Sequence, residues 1–464
     1  MTNIFDYLEQ RKNIPFSEDP FNEIDGLILS EIIYTDFDSV LDKDSYIDIA
    51  DANKKFWSLH TEEEIMASTS FTKLAPFLMK EMVDSARFRG TKLKYYTTTI
   101  SIEAIKQFAA VTFELPDGSD FISYRGTNGT VAGWMEDFKF SFSTTEGQDD
   151  AVNYINNFHI SNNRPLRLGG HSKGGNLAVY AAVCCTKAIQ DRIEKVFNFD
   201  GPGFKMDILE SDAYKRILPR ILSVIPKDCA IGIMMNNHYH TIITESDERA
   251  IKQHDAFQWH IDGNKFEEVS SRSELSLFFE KVLNNWMSRC DESKREHILE
   301  TSLSLIMDND LATEDTPLNS EFFHTFLSNT KKLDKSEKSL FLSSLSDIFV
   351  STSVVTADEM KAKASPIAED IKTKSVAVAG DVKAKSVTIA EEVKEKAIPL
   401  AEELKIKSVI IAEDLKVKSS IMAEDIKAKS VTVAEDLKAK SANIIEKLAA
   451  KRNETEKDSS DEAE

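Results

Sequence analysis

Five consecutive residues, Gly170-His-Ser-Lys-Gly174, set a hydroxyl between small residues in a way that suits nucleophilic catalysis. Gly-x-Ser-x-Gly permits a strained strand-to-turn-to-helix reversal that lifts the serine above a sheet, because glycine leaves room where side chains would collide. Both flanks fit. Pro165-Leu-Arg-Leu-Gly-Gly reads as a short strand, and Gly174-Gly-Asn-Leu-Ala-Val-Tyr-Ala-Ala-Val reads as a helix with small residues where it must pack closely on that sheet. A bare five-residue match also occurs as a glycine-rich turn that merely opens a helix, and the flanks decide against that. Ser172 is the candidate nucleophile.

A serine attacks well only if a histidine takes its proton and an acid holds the histidine, and this fold supplies them in the order Ser, Asp or Glu, His. Asp228 follows the strand-like Ile221-Leu-Ser-Val-Ile-Pro-Lys, which puts it at the sheet edge where the serine also emerges. It is the favoured acid. Asp200, in Phe197-Asn-Phe-Asp-Gly-Pro-Gly-Phe, ends the preceding strand and is the alternative; otherwise it is a turn residue bonding its own backbone. For the base, His254 in Lys252-Gln-His-Asp-Ala-Phe-Gln-Trp follows the last strand candidate. His238 and His240 stand at the wrong end of that strand, and His260 follows Trp259 in a packing segment.

Acyl transfer also needs two preset donors for the developing oxyanion. The amide of Lys173, after the nucleophile, is one. Tyr124-Arg-Gly-Thr-Asn-Gly-Thr-Val-Ala-Gly-Trp-Met-Glu-Asp begins at a strand end and is glycine-rich, so Thr127 can offer its amide and hydroxyl, with Asp137 orienting the hydroxyl. The alternative is an ordinary strand-ending loop. Nothing in the sequence calls for a cofactor or a metal.

These residues need a sheet flanked by helices. Strand candidates are Phe108–Leu115, Asp120–Tyr124, Leu166–Gly169, Lys195–Phe199, Ile221–Ile225, Ile231–Met235 and Thr241–Thr244. Leu115-Pro-Asp-Gly makes a hairpin of the first two, and helix-sized spacings suit parallel pairing of the later ones. The expected architecture is an α/β-hydrolase fold with a mostly parallel central sheet over residues 1–270 and a small helical domain over 271–355. A long amphipathic eleven-residue-repeat helix is expected over 365–447, and a disordered acidic tail over 448–464.

The formal charge of −21 argues against nucleic acid as a partner, since phosphate binding needs clustered Lys and Arg. Cys184, Cys185, Cys229 and Cys290 show neither metal nor disulfide spacing and read as reduced thiols. The first residues lack a basic start and apolar run, and no apolar stretch reaches the roughly 18 residues that a spanning helix needs. A cytoplasmic location is expected.

Within the repeats Ala recurs at 368, 379, 390, 401, 412, 423 and 434. An eleven-residue period keeps equivalent positions stacked along a nearly straight helix. Ile371, Val382, Val393, Leu404 and Leu415 share a face with the repeating Ala, while the Glu and Asp positions point away. Lys374, Lys385 and Lys407 flank the apolar stripe, whereas Lys372, Lys383 and Lys405 intrude into it. Gly380 and Pro399 weaken the helix. The pattern fits a segment lying peripherally on a membrane or lipid droplet, and equally a solvated stalk, a coiled assembly or a disordered tail.

The motifs together carry a resemblance. Tyr-Arg-Gly-Thr with Trp-Met-Glu-Asp, Gly-His-Ser-Lys-Gly-Gly-Asn-Leu-Ala and Val-Ile-Pro-Lys-Asp resemble class 3 lipases. Residues 3 to about 350, including Ile4-Phe-Asp-Tyr-Leu, Asp19-Pro-Phe-Asn-Glu-Ile-Asp and Gln253-His-Asp-x-Phe, resemble a related family of uncharacterised α/β-hydrolase-like proteins common in Firmicutes. The resemblance implies Ser172, Asp228 and His254 as a triad, Thr127 in the oxyanion loop, and an acyl ester or lipid as substrate. Lys173 stands where class 3 lipases usually carry Leu, a departure expected to alter the pocket. A hydrolase fold used as a silent scaffold, or the same triad turned on a thioester or peptide bond, are the competing expectations.

Overall fold

The computed structural model describes residues 2–355 apart from 43–44, 69, 160–162, 308–310, 313–315, 317–319 and several positions between 335 and 354. The repeats and the tail lie outside the described residues. An eight-stranded sheet runs in sequence order: β1 Tyr46–Asp48, β2 Lys92–Ser101, β3 Lys106–Glu114, β4 Asp120–Tyr124, β5 Leu166–His171, β6 Ile193–Phe199, β7 Ile221–Pro226 and β8 His240–Thr244. Strands β1 to β4 pair antiparallel, and β4 to β8 pair parallel. At the β3–β4 hairpin Gly118 takes φ +88° and its amide donates to the Leu115 carbonyl, so the Pro-Asp-Gly chemistry closes the turn.

One strand expectation needs correction. Ile231–Met235 is a turn-rich loop, because the Gly232 amide is spent on the Asp200 carboxylate and Met235 adopts φ +64°. The long strand β2 had no clean apolar alternation to reveal it. Its burial is intermediate almost throughout, as suits an antiparallel strand with one face near solvent.

Parallel strands that succeed one another in one direction, joined by right-handed crossovers, place every connecting helix on one face. The second face must be covered from elsewhere. Alternation along the strands sorts the side chains accordingly. Ile122, Leu168, Val196 and Ile221 pack with Ala151, Ile155, Leu177, Ala181 and Tyr214 of the connecting helices. Phe121, Phe197, Phe199, Leu222 and Val224 point the other way, into a core built by Ile4, Leu8, Ile24, Leu27, Ile28 and Met79 of the N-terminal helices. The result is a mostly parallel sheet with a helical layer on each side, consistent with an α/β-hydrolase fold.

Arg87 anchors the N-terminal layer. Its guanidinium is fully buried, donates through Nε and Nη2 to Asp25 at 2.6 and 2.5 Å, and also reaches the carbonyls of Asp19 and Pro20. Beyond the sheet, the helices Glu274–Arg289 and Glu292–Met307 follow. They belong to the same compact unit as the sheet, which runs from Met1 to Leu318 and resumes at Asn329. The described part of a second unit is residues 320–328, within the helix Ser320–Asn329. No described helix is long and apolar enough to cross a membrane.

Candidate functional site

Ser172 sits between β5 and the helix Lys173–Cys184, with φ +57° and ψ −131°. An L-residue at positive φ is strained, and it persists only where its surroundings over-determine it. Here the Ser172 amide donates to the Phe199 carbonyl at 2.8 Å, tying the turn to the neighbouring strand. A Cβ on Gly170 would overlap the backbone of Gly174, and one on Gly174 would overlap the Tyr124 carbonyl. Only glycine fits at both positions, and this close approach is what the motif is for.

His254 ends the 3-10 turn Ala250–His254, and its ring lies 4.6 Å, centroid to centroid, from that of His171 beside the serine. Its Nδ1 is 2.6 Å from Oδ2 of Asp200. Asp200 follows β6 at φ +50°, held by donation of its amide to the Val224 carbonyl at 2.8 Å. The other carboxylate oxygen accepts from the Gly232 amide at 3.0 Å and from the Cys229 thiol at 2.8 Å. Burial pushes the Cys229 thiol well above its ordinary pKa, and the adjacent Asp200 carboxylate adds to this, so the sulfur stays a donor.

Asp228, the acid favoured from the sequence, is placed differently. Its Oδ2 accepts the Ala250 amide at 2.9 Å and its own amide donates to Gln253 Oε1 at 2.7 Å, so it braces the turn that carries His254. The structure thus brings His254 to the alternative acid, Asp200. The competing histidines stand elsewhere: the His238 ring packs 6.4 Å from that of Tyr214, and both His260 ring nitrogens face carboxylates, of Glu267 and Asp247. His240 opens β8 and is exposed.

Beneath His254 lies a second buried pair. Glu31 Oε1 is 3.0 Å from His171 Nδ1, with both side chains buried. Burial alone would lower the His171 pKa, but the Glu31 carboxylate outweighs it and holds the imidazole above its ordinary value. Asp255 is pushed up to about 6, chiefly by burial and further by Glu31. The Phe71 ring, 42% exposed, rests 5.7 Å from that of His254 and forms an apolar edge to the site.

Across the serine, the loop after β4 comes close because Gly126 has no side chain; a Cβ there would stand 3.2 Å from that of Ser172. The Thr127 hydroxyl donates to Asp137 Oδ2 at 2.7 Å. Burial raises Asp137 to about 6, against the opposing pull of Lys173 and Thr127. Lys173 opens the nucleophile helix, where the unpaired first-turn amides favour negative charge. The Lys173 side chain, whose replacement of Leu is expected to alter the pocket, is buried. It turns inward to the Gln107 carbonyl at 2.7 Å and Glu136 Oε2 at 2.8 Å.

A hydroxyl on a strained elbow, a carboxylate-held imidazole against the ring of the preceding His171 and amides at a helix start are the parts that acyl transfer uses. The roles of Cys229, Gly232, Glu31 and Glu136 around it carried no signal in the sequence beyond Glu136 lying in Trp-Met-Glu-Asp.

Fold and site together define a three-layered α/β protein, a sheet between two helical layers, with a serine elbow. Residues 82–303 match the model of a family described as Mbeg1-like. A solved structure titled "Crystal structure of M37 lipase" is similar at 16% identity with a TM-score of 0.27, over 45% of this chain and 68% of that one. No curated protein matches.

Proposed function

We propose that this protein is a serine hydrolase that cleaves carboxylic esters through a Ser172–His254–Asp200 triad. The observation that carries the reading is the 2.6 Å contact between His254 Nδ1 and the buried Asp200 carboxylate, in a chain that also holds Ser172 at positive φ on its elbow. With Nδ1 committed to Asp200, Nε2 takes the Ser172 proton as the oxygen attacks the carbonyl carbon. The oxyanion is stabilised by the amides of Lys173 and Thr127, the Thr127 hydroxyl being spent on Asp137. The imidazolium then returns the proton to the departing alcohol, leaving an acyl-enzyme that water hydrolyses by the reverse sequence.

The test is labelling by a fluorophosphonate probe, with a series of p-nitrophenyl esters of increasing chain length, on wild type and Ser172→Ala. Labelling and turnover are expected in the first and absent in the second. A folded wild type that is neither labelled nor active would point to a binding scaffold, and labelling without esterase turnover to a thioester or peptide substrate.

The eleven-residue repeats support a second element of the reading, that residues 365–447 hold a cytoplasmic enzyme against a membrane or lipid-droplet surface. The support is their apolar stripe with flanking lysines. Flotation with anionic liposomes, with and without residues 365–464, tests it, and equal flotation of the two would remove the tether.

A further inference from the structure

The Lys173 side chain has no part in the reaction outlined above, yet it is buried, with 1% of it exposed, and carries a charge. Its Nζ meets Glu136 Oε2 at 2.8 Å and the Gln107 carbonyl at 2.7 Å. The Glu136 carboxylate is fully engaged: Oε2 also accepts the Gln107 amide at 2.9 Å, and Oε1 the Gly147 amide at 2.9 Å. The next residue, Asp137, accepts the Thr127 hydroxyl at 2.7 Å. A continuous path therefore runs from Thr127 through Asp137, Glu136 and the Lys173 ammonium to the residue whose amide follows the nucleophile.

Buried ion pairs contribute little net stability compared with apolar residues of similar volume, because both charges lose their water. Stability is thus a poor reason to keep this one. Oxyanion donors, in contrast, act only when they are held about 2.7–3.1 Å from the position the oxygen will take. Here the two donors come from different elements, the loop after β4 and the helix after β5, so their spacing needs an explicit link.

We propose that the Lys173–Glu136 pair is a positioning device that sets the distance between the two oxyanion donors, Thr127 and the Lys173 amide. The proposal rests on the serine-hydrolase reading above. It makes Lys173 a residue whose amide acts on the substrate and whose side chain aligns the opposite half of the pocket.

The test compares fluorophosphonate labelling, resolved into affinity and maximal rate, in wild type, Thr127→Val, Lys173→Met/Glu136→Gln and the triple variant. Lys173→Met alone would strand a buried carboxylate and could fail to fold, so the charge-neutral double variant is used, with its thermal midpoint as a check. Expected are an unchanged affinity and a maximal rate about tenfold lower both in the double variant and in Thr127→Val, which keeps its amide but loses the anchor to Asp137. The triple variant should be no slower than Thr127→Val, since both changes disable one device. Glu136→Gln alone is left out for the same reason, since it would strand the buried Lys173 ammonium and set an amide NH2 against a donor. Labelling of a folded double variant at the wild-type rate, or losses that multiply in the triple variant, would overturn the proposal. An unlabelled wild type would instead overturn the serine-hydrolase reading, and the alignment role with it.

Discussion

His254 Nδ1 and Asp200 Oδ2 lie 2.6 Å apart, and because an ionised carboxylate can only accept, the proton resides on Nδ1. That fixes the tautomer with Nε2 unprotonated, which the proposed role of His254 as base requires. Replacing Asp200 by Asn keeps the shape but lets the amide donate to Nδ1, inverting the tautomer. Asp200→Asn is expected to lower the labelling rate by about 10⁴-fold. Asp228→Ala removes only the acceptor for the Ala250 amide, so it should cost about 1 kcal/mol of stability with labelling retained. Parallel rate and urea-denaturation measurements on the two variants check both outcomes, and a larger rate loss in Asp228→Ala would reverse the assignment.

The Cys229 thiol is the second prediction. It donates to Asp200 Oδ1 at 2.8 Å and, with the Gly232 amide, holds that oxygen while the other meets His254. Cys229→Ala leaves one donor fewer and frees the carboxylate to rotate. A tenfold slower reaction, equivalent to about 1.4 kcal/mol in the barrier, is expected, whereas Cys229→Ser keeps a donor and should stay close to wild type. Identical rates for Ala and Ser would mean that the thiol merely fills space.

Strain at the elbow gives the third. Ser172 at φ +57° pays a conformational cost that glycine does not. Ser172→Gly should therefore be more stable than Ser172→Ala by about 1 kcal/mol, both being inactive. Thermal or urea unfolding of the two decides it; an equal or lower stability for the glycine variant would show that the turn is relaxed.

His159 sets a pH dependence. It is buried and hydrogen-bonded to Thr112 Oγ1 at 2.9 Å, and its pKa is lowered to about 3, first by burial and then by Arg192 and Lys94. Asp120 lies 3.7 Å from Nδ1 and would raise it, but burial wins. The unfolded state thus takes up a proton near pH 6.5 that the native state refuses until about pH 3, so stability is complete above pH 6.5 and falls as pH drops. Between pH 7 and pH 5 this histidine should cost about 2 kcal/mol. In His159→Gln that part of the slope should vanish, while the opposing contributions of Asp137, Asp255 and His171, common to both proteins, cancel in the comparison. Parallel slopes for the two proteins would contradict the assignment.

Local chemistry made much of the site legible. Gly170 and Gly174 announce the elbow because no side chain fits there, Leu115-Pro-Asp-Gly announces its hairpin, and chain order alone nominates a histidine near residue 254. Asp200 and Asp228 could not be separated in this way, because each follows one of two adjacent parallel strands and so arrives at the same sheet edge. The choice is made by tertiary contacts: the positive φ at Asp200, with Cys229 and Gly232 arriving from the next loop to hold its carboxylate toward His254. Strand Ile231–Met235 failed for the same reason, since its Gly232 amide serves that carboxylate instead of a ladder. Lys173 shows the division most simply. Its place after Ser172 is written in the chain, but whether its ammonium faces substrate or a buried Glu136 depends on which helix packs beside it, and only the folded molecule decides that.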